Sequence, residues 1–418
     1  MRCRTPHLSR SVLHTAVTGA LLAVLAALAP APPAAAAPAT ISRALFGLHQ
    51  TGIASASWPD AEPGTVRLWD TGTRWADVEP SRGRFDWTAL DHAVATARAH
   101  HASVLLVLGQ TPRWASSRPS QISTNGLGAA AMPRSITYWR EYVAAVAHRY
   151  RGRIAAYQVW NEPNVQTFFT GTPKQMVQLT QEAQRLVKHY DKRAIVSSPS
   201  FATRLRTNIP WMQQWLAAGG ARYVDVVSLH LYPLPTSGPE GSMTLLAKAR
   251  AALAKAKVSK PVWDTEINYG AGVGGAPARH FSSASGAAYV ARTYLLSAAN
   301  GVSRVYWYGW DTSGPLSISL SKGGEATVAG EAYRTVEDWM VGAKGYGCTR
   351  DRAGTYTCLL RYPGSWGKVV WNPGRAFGMR APAGTVSVNA LDGTWRSARR
   401  GSRVQVSGVP VMIRTTVR

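Results

Sequence analysis

Residues Ala155-Ala156-Tyr157-Gln158-Val159-Trp160 run directly into Asn161-Glu162-Pro163. A short, near-continuous apolar run of this kind is a strand covered on both faces, as in a parallel sheet flanked by helices. Pro163 lacks a backbone N–H and ends it. Seven more runs rich in Val, Leu, Ile and Trp lie at 44–48, 65–69, 103–108, 194–198, 224–231, 261–265 and 304–308. Between them apolar residues recur at helical spacing. Trp87, Leu90, Val94 and Ala97 form one stripe; Trp139, Val143, Val146 and Tyr150 form another. Met176, Leu179, Ala183 and Leu186 form a third, with further helices expected at 288–299 and near 330–341. Eight strands alternating with helices over about 290 residues predict an α/β fold, a (β/α)8 TIM barrel. A doubly wound sheet is the competing architecture, but no G-x-G-x-x-G follows the first strand.

From Gly345 onward the rhythm changes to short alternating segments at 356–361, 368–371, 385–388 and 404–406, separated by Gly, Pro and Asn. That pattern predicts a small antiparallel, sandwich-like β domain over 344–418 beside a barrel over 38–343. With no internal repeat and no low-complexity linker, the two are expected to pack tightly.

Residues 1–37 combine Arg2, Arg4 and Arg10 with a mainly apolar stretch at 12–28 and an A-x-A site within 34–37. This is the pattern of a secretory signal peptide, so a soluble chain exported to the extracellular space or the cell wall is expected. No later stretch approaches the roughly 18 uninterrupted apolar residues of a membrane span. Three cysteines in 418 residues exclude a disulfide scaffold and a Cys-rich zinc protein. Cys3 leaves with the leader. Cys348 and Cys358 bracket a polar run containing Gly354, which suits a hairpin closed by one disulfide in an oxidising compartment; two free structural thiols are the other reading.

The formal net charge is +25, and loss of the three leader arginines leaves +22. The basic residues are scattered, with no block of five or six and no recognisable nucleic-acid module. The charge therefore points to an anionic cell-wall polymer or acidic lipid rather than to a specific nucleic acid. Sixteen Trp and sixteen Tyr stand against seven Phe. Such rings suit ligands with apolar faces and hydroxyl edges, although a large core would use the same residues.

A barrel of this type carries its site at the C-terminal ends of the strands. Those ends hold Trp160-Asn161-Glu162-Pro163 after the fourth strand, His230-Leu231-Tyr232 after the sixth, Asp264-Thr265-Glu266 after the seventh and Trp307 to Trp310 after the eighth. Arg67 lies in the second run, which Trp69 and Asp70 end; Gln110 and Trp114 follow the third. Glu162 and Glu266 thus fall on strand ends that face each other. Cleaving a glycosidic bond needs such a pair, one acid protonating the leaving oxygen and one carboxylate attacking or supporting the anomeric carbon. Whichever of the two is the acid must hold its proton near neutrality, and burial together with the charge of the other is expected to raise its pKa.

On these residues the chain resembles the clan A glycoside hydrolases, retaining (β/α)8 barrels, and within them the family 39 group of β-xylosidase-type enzymes. The likeness covers roughly residues 43–340 and rests on Asn161-Glu162-Pro163 and the Glu that ends the seventh strand. It implies that Glu162 is the acid/base and Glu266 the nucleophile. It further implies that Asn161 bonds the sugar 2-hydroxyl and that Arg67 neighbours the nucleophile. His230 and Tyr232 would line its flank, and Trp307 or Trp310 would form the floor under the sugar. Trp114 is a further candidate for sugar contact. Like Trp69, Trp75 and Tyr269 it is a weaker one, since core packing explains all four equally.

Each residue also has a plain structural reading: Arg67 as a buried ion pair, His230 as a core histidine, Asn161-Glu162-Pro163 as an ordinary turn. The chain contains no H-E-x-x-H, G-x-S-x-G or P-loop, and its ten histidines show no ligand spacing, so neither cofactor nor catalytic metal is expected. The expected partner is a carbohydrate and the expected state a monomer. Two other classes fit the same residues: a barrel that binds wall carbohydrate without turnover, and a transglycosidase. Sugar, linkage and exo or endo action stay open, the loops at 116–134 and 270–279 being the segments that shape the cleft.

Overall fold

The computed structural model describes residues 39–55, 57–273, 276–311 and 318–416. The leader expected at 1–37, with Cys3, lies outside them, as does part of the 270–279 loop.

Eight parallel strands close a barrel in chain order. They are β1 (Phe46–His49), β2 (Thr65–Leu68), β3 (Ser103–Leu108), β4 (Ala156–Val159), β5 (Ile195–Ala202), β6 (Val226–His230), β7 (Val262–Ile267) and β8 (Val302–Tyr308). Around them run α1 (Trp75–Val78), α2 (Thr88–Ala99), α3 (Ile136–Arg149), α4 (Pro173–Tyr190), α5 (Asn208–Ala217), α6 (Pro239–Lys255) and α7 (Ser283–Ala299). A short hairpin, β9 (Ser321–Lys322) with β10 (Glu325–Ala326), precedes α8 (Val328–Met340). Helix starts are written locally. At α4, Thr172 caps the Gln175 amide while the Gln175 side chain accepts from Thr172, with Pro173 in the first turn.

The expected barrel is the one observed, with three local differences. β5 continues four residues past its expected end, through Pro199, and its register against β6 shifts between Ser197 and Ser200. The irregularity absorbs a residue that has no N–H to give. The sequence carries no clear apolar stripe for α5 or α6. Pro210 lies within the first turn of α5, and the buried face of α6 is partly alanine (Ala249, Ala252) beside Leu246 and Leu253.

The barrel interior is layered. Leu105, Ala156, Val226, Trp263 and Tyr306 form an apolar plug with Ile195, separate from the main core outside the strands. Two residues further along the strands, on the same face by the period of 2, stand Gln158, Ser197, Ser228, Thr265 and Tyr308. All but Tyr308 are fully buried. The charged groups of the site stand at or above this polar layer, while Arg304 lies over the ring of the plug residue Trp263.

The C-terminal region contains β11 (Lys344–Arg350), β12 (Tyr356–Tyr362), β13 (Ser365–Trp371), β14 (Phe377–Arg380), β15 (Thr385–Asn389), β16 (Trp395–Ser397), β17 (Arg403–Val406) and β18 (Val411–Thr416). Six of them form one sheet in the order β11-β12-β13-β18-β15-β16, and β14 pairs with β17. Alternation divides the sheet. Val370, Val388 and Ile413 pack on Val404 and Val406 of the ribbon, whereas Val369, Trp371 and Met412 join the main core shared with the barrel. The Trp371 indole donates to Glu240 Oε1 at 3.2 Å, and Glu240 also pairs with Arg292. Cys348 and Cys358, partners across β11 and β12, form the disulfide that closes the hairpin.

Gly47 of β1 has no room for a side chain: a Cβ there would stand 2.7 Å from Thr65 Oγ1, Tyr306 Cδ1 and the Val305 carbonyl oxygen. Gly47→Ala should lower stability by about 1–3 kcal/mol. The check is the urea midpoint followed by tryptophan fluorescence; an unchanged midpoint would contradict this packing.

Candidate active site

The site is built upward from the polar layer. Arg67, inward on β2 and fully buried, donates from Nε to Gln158 Oε1 at 2.9 Å, from Nη1 to Glu266 Oε2 at 2.8 Å and from Nη2 to Asn161 Oδ1 at 2.6 Å. One guanidinium therefore sets the ends of β4 and β7 relative to each other. Because guanidinium only donates, its bond identifies the Asn161 atom as oxygen and leaves the Nδ2 donors for other use. Gln158 passes the network to Thr265 Oγ1 at 3.2 Å.

Past β4 the backbone is strained. Trp160 has φ 70° and Glu162 φ 43°, left-handed values for bulky residues, and such outliers cluster at functional sites. The neighbours over-determine this conformation. The Trp160 indole donates to the Phe168 carbonyl at 2.9 Å, and Ser200 Oγ accepts from Glu162 N at 3.1 Å while donating to Asn161 Oδ1 at 3.3 Å. In β7 the register against β6 and β8 shifts around Thr265 and Glu266, an irregularity of the kind that re-aims a side chain.

The two glutamates have different surroundings. Burial pushes the Glu162 carboxyl up to about 7, against the opposing charges of Arg204 and Arg67. Burial, one of the two causes expected, leads that shift. Glu266 accepts from Arg67 and, at Oε1, from the Tyr232 hydroxyl at 2.9 Å. His230 stands between them, with Nδ1 2.9 Å from Glu162 Oε1 and Nε2 3.8 Å from Glu266 Oε2. Burial pulls the His230 imidazole down to about 3, so the ring is neutral and carries one hydrogen. It can donate toward only one of the two glutamates at a time.

Glu162, Glu266, Arg67, Asn161, His230 and Tyr232 are thus brought together. The three tryptophans are placed elsewhere. Trp307 follows Tyr306 and points outward into the main core, its indole bonded to the Ile318 carbonyl at 3.3 Å and its ring tilted against Tyr269. Trp310 is buried in the same core. Trp114 packs edge-on against Trp75 and donates to the Glu79 carbonyl at 2.9 Å. It lines a surface cavity of about 620 Å³ that shares no residue with the glutamate pair.

The inward residue ending β8 is Tyr308, which sequence reasoning passed over together with His49 and Arg204. The signal for Tyr308 is parity: it lies two residues beyond the plug residue Tyr306. His49 ends β1 one residue beyond the expected end of that strand. Arg204 follows β5, whose end Pro199 concealed. Asp70 stands at the end of the second run, and the structure joins it to Tyr308 and His49.

Among the described residues no group of three or more His, Cys, Asp or Glu could hold a metal ion, and no helix is long and apolar enough to cross a membrane.

Fold and site together define a (β/α)8 barrel of the glycosidase type. The chain belongs to the family described as the glycosyl hydrolase catalytic core, which matches residues 114–333, more than half of its length. It is 28% identical over 154 residues to a beta-xylosidase of Caldicellulosiruptor saccharolyticus, covering 32% of this chain and 31% of that protein. The chain therefore spans less than a third of the curated relative it matches. Two solved structures share its architecture. A family 39 glycoside hydrolase of the gut symbiont Bacteroides cellulosilyticus WH2 has a TM-score of 0.66 at 17% identity, covering 90% of this chain and 81% of that one. The GH39 enzyme of Xanthomonas axonopodis pv. citri has a TM-score of 0.67 at 17% identity, covering 91% and 95%. At that identity the likeness is one of fold.

Removing the guanidinium takes a donor from Gln158, Asn161 and Glu266 and leaves the Glu266 carboxylate without its cation. Arg67→Met should cost about 3–5 kcal/mol, as for other broken buried pairs. Adding Glu266→Gln should recover part of that loss, because the uncompensated charge goes with it. Denaturant unfolding of the two single variants and the double variant checks this; simple additivity would contradict the pairing.

Proposed function

We propose that the chain is an exported retaining glycoside hydrolase that cleaves β-type bonds of a polysaccharide or oligosaccharide by double displacement. The observation that carries this reading is the contrast between the two glutamates around one neutral imidazole. Glu162 is poised as an acid near neutral pH, whereas Glu266 is gripped at both oxygens by donors, as suits a nucleophile. Glu266 would attack the anomeric carbon while Glu162 gives its proton to the departing oxygen, forming a glycosyl ester on Glu266. Glu162, now a carboxylate, would take a proton from water as that water displaces the ester and restores both groups. Asn161, whose oxygen is committed to Arg67, offers its Nδ2 donors to a sugar hydroxyl.

The leader pattern supports export, and the net charge of +22 without the leader supports association with an anionic wall polymer. The relative's name puts β-xylosides first among the substrates to test.

Glu162→Gln should lower turnover of aryl β-glycosides with poor leaving groups by about 10²- to 10⁴-fold. Glu266→Gln should lower it at least as far. In the wild type kcat/KM should fall as pH rises through about 7, where Glu162 gives up the proton it must donate. The Glu162→Gln variant should lack that limb. Wild-type protein that turns over no glycoside yet binds glycans would replace this reading with a carbohydrate-binding barrel.

A further inference from the structure

The ends of β8, β1 and β2 bring together Tyr308, His49 and Asp70, and no step of the displacement uses them. Asp70 Oδ1 accepts from His49 Nε2 at 2.5 Å, and Oδ2 accepts from the Tyr308 hydroxyl at 2.5 Å. The two rings lie 4.4 Å apart. His49 is fully buried, whereas the Asp70 side chain is 32% exposed. The carboxylate is anchored on one side and open on the other. Burial alone would raise its pKa, but the charge and hydrogen bond of His49, with the bond from Tyr308, hold it well below the ordinary carboxylate range. A carboxylate has about four acceptor positions; His49 and Tyr308 take two and its own backbone N–H bears on a third, which leaves capacity for a donor from outside the network.

The cluster belongs to the same pocket as the glutamates. Tyr308 is two residues above the plug residue Tyr306 on the inward face of β8, and Asp70 lies three residues past Arg67. The Tyr308 phenol is raised above its ordinary value by burial and then by the charges of Asp70 and Glu266 together. Two cations act on this side, the charge of His49 on Asp70 and that of Arg67 on Tyr308. All three nitrogens of Arg67 are committed to Gln158, Glu266 and Asn161. Arg204 lies over the Tyr232 ring, at the β5 and β6 ends across the closed barrel.

We infer that Asp70 is the residue that recognises the glycone: it accepts hydrogen bonds from hydroxyls of a neutral sugar and excludes uronosyl groups from the reacting position. This rests on the glycosidase reading and narrows its substrate class. A sugar hydroxyl supplies a donor for that remaining capacity. A uronosyl carboxylate supplies none there and adds a third negative charge beside Asp70 and Glu266.

The test compares kcat/KM on 4-nitrophenyl β-xylopyranoside, β-glucopyranoside and β-glucuronide for wild type, Asp70→Asn and Tyr308→Phe. Wild type should prefer the neutral glycosides. Asp70→Asn should lose about tenfold to a hundredfold on them, the scale of a charged hydrogen bond. It should lose little or nothing on the glucuronide, so that selectivity shrinks by about the same factor. Tyr308→Phe keeps the charge but loosens the anchor, and should lose several-fold on the neutral sugars alone. It decides the matter if Asp70→Asn does not fold. Unchanged selectivity in the folded variants, or a wild type that prefers the glucuronide, overturns the assignment.

Calorimetric titration of Glu162→Gln with xylobiose, cellobiose and glucuronic acid separates this failure from failure of the catalytic reading. If no glycoside is turned over, neutral-sugar binding that weakens on adding Asp70→Asn still supports the role of Asp70. Equal binding with and without that change overturns it.

Discussion

A guanidinium with no solvent exposure must find its compensation inside the protein, and Arg67 finds it on two strands at once. Taking such a charge out of water costs several kcal/mol unless geometry and hydrogen bonding are both good. Here five-donor chemistry meets Gln158, Asn161 and Glu266, which come from β4 and from the end of β7. Each acceptor is thereby oriented by the same plane. The strained turn at Trp160 and Glu162 follows from this constraint: Asn161 is held between Arg67 and Ser200, and its neighbours adopt the φ values the holding requires. The register shift in β7 serves the same end from the other side of the barrel.

With the two glutamates placed, their surroundings set them apart. Glu162 is raised by loss of water and only moderated by Arg204 and Arg67. An acid whose pKa is set by burial keeps it as long as the pocket stays closed to solvent. In the proposed cycle Glu162 has given up its proton when the nucleophile is esterified, and esterification removes the charge of Glu266, so the carboxylate of Glu162 is present as base when water enters. The neutral imidazole of His230 suits that cycle, since it adds no charge to either stage.

The barrel was legible because strand and helix periods repeat, and because buried parallel strands announce themselves as apolar runs. Glu162 and Glu266 were legible because the ends of such runs are where side chains reach the pocket. What escaped depended on half-turn information that composition does not carry. Trp307 and Tyr308 are adjacent aromatic residues, and only the parity set by Tyr306 inside the barrel tells which one faces inward. Arg204 was hidden by Pro199, whose missing N–H reads as a strand end although a register shift carries β5 past it. His49 lay one residue beyond an apolar run, since a polar residue at a strand end looks like the start of a loop. α5 and α6 escaped because a proline in the first turn obscures one and alanines blur the buried stripe of the other.

Charge acts at two ranges in this molecule, with opposite sign. The scattered arginines of the surface produce a positive field that salt screens over about 8–10 Å, and on the proposed reading it gathers an anionic polymer. Inside the pocket the partly exposed charge on the β1–β2–β8 side is that of Asp70, which together with Glu266 acts on Tyr308 against the opposing charge of Arg67. A surface that attracts acids and a reacting position that repels them are compatible if the acidic groups belong to a polymer backbone and the bond to be cleaved carries a neutral sugar. On the proposed reading, basic surface and acidic pocket divide one recognition problem between them: the first gathers the polymer, and the second chooses the residue to remove.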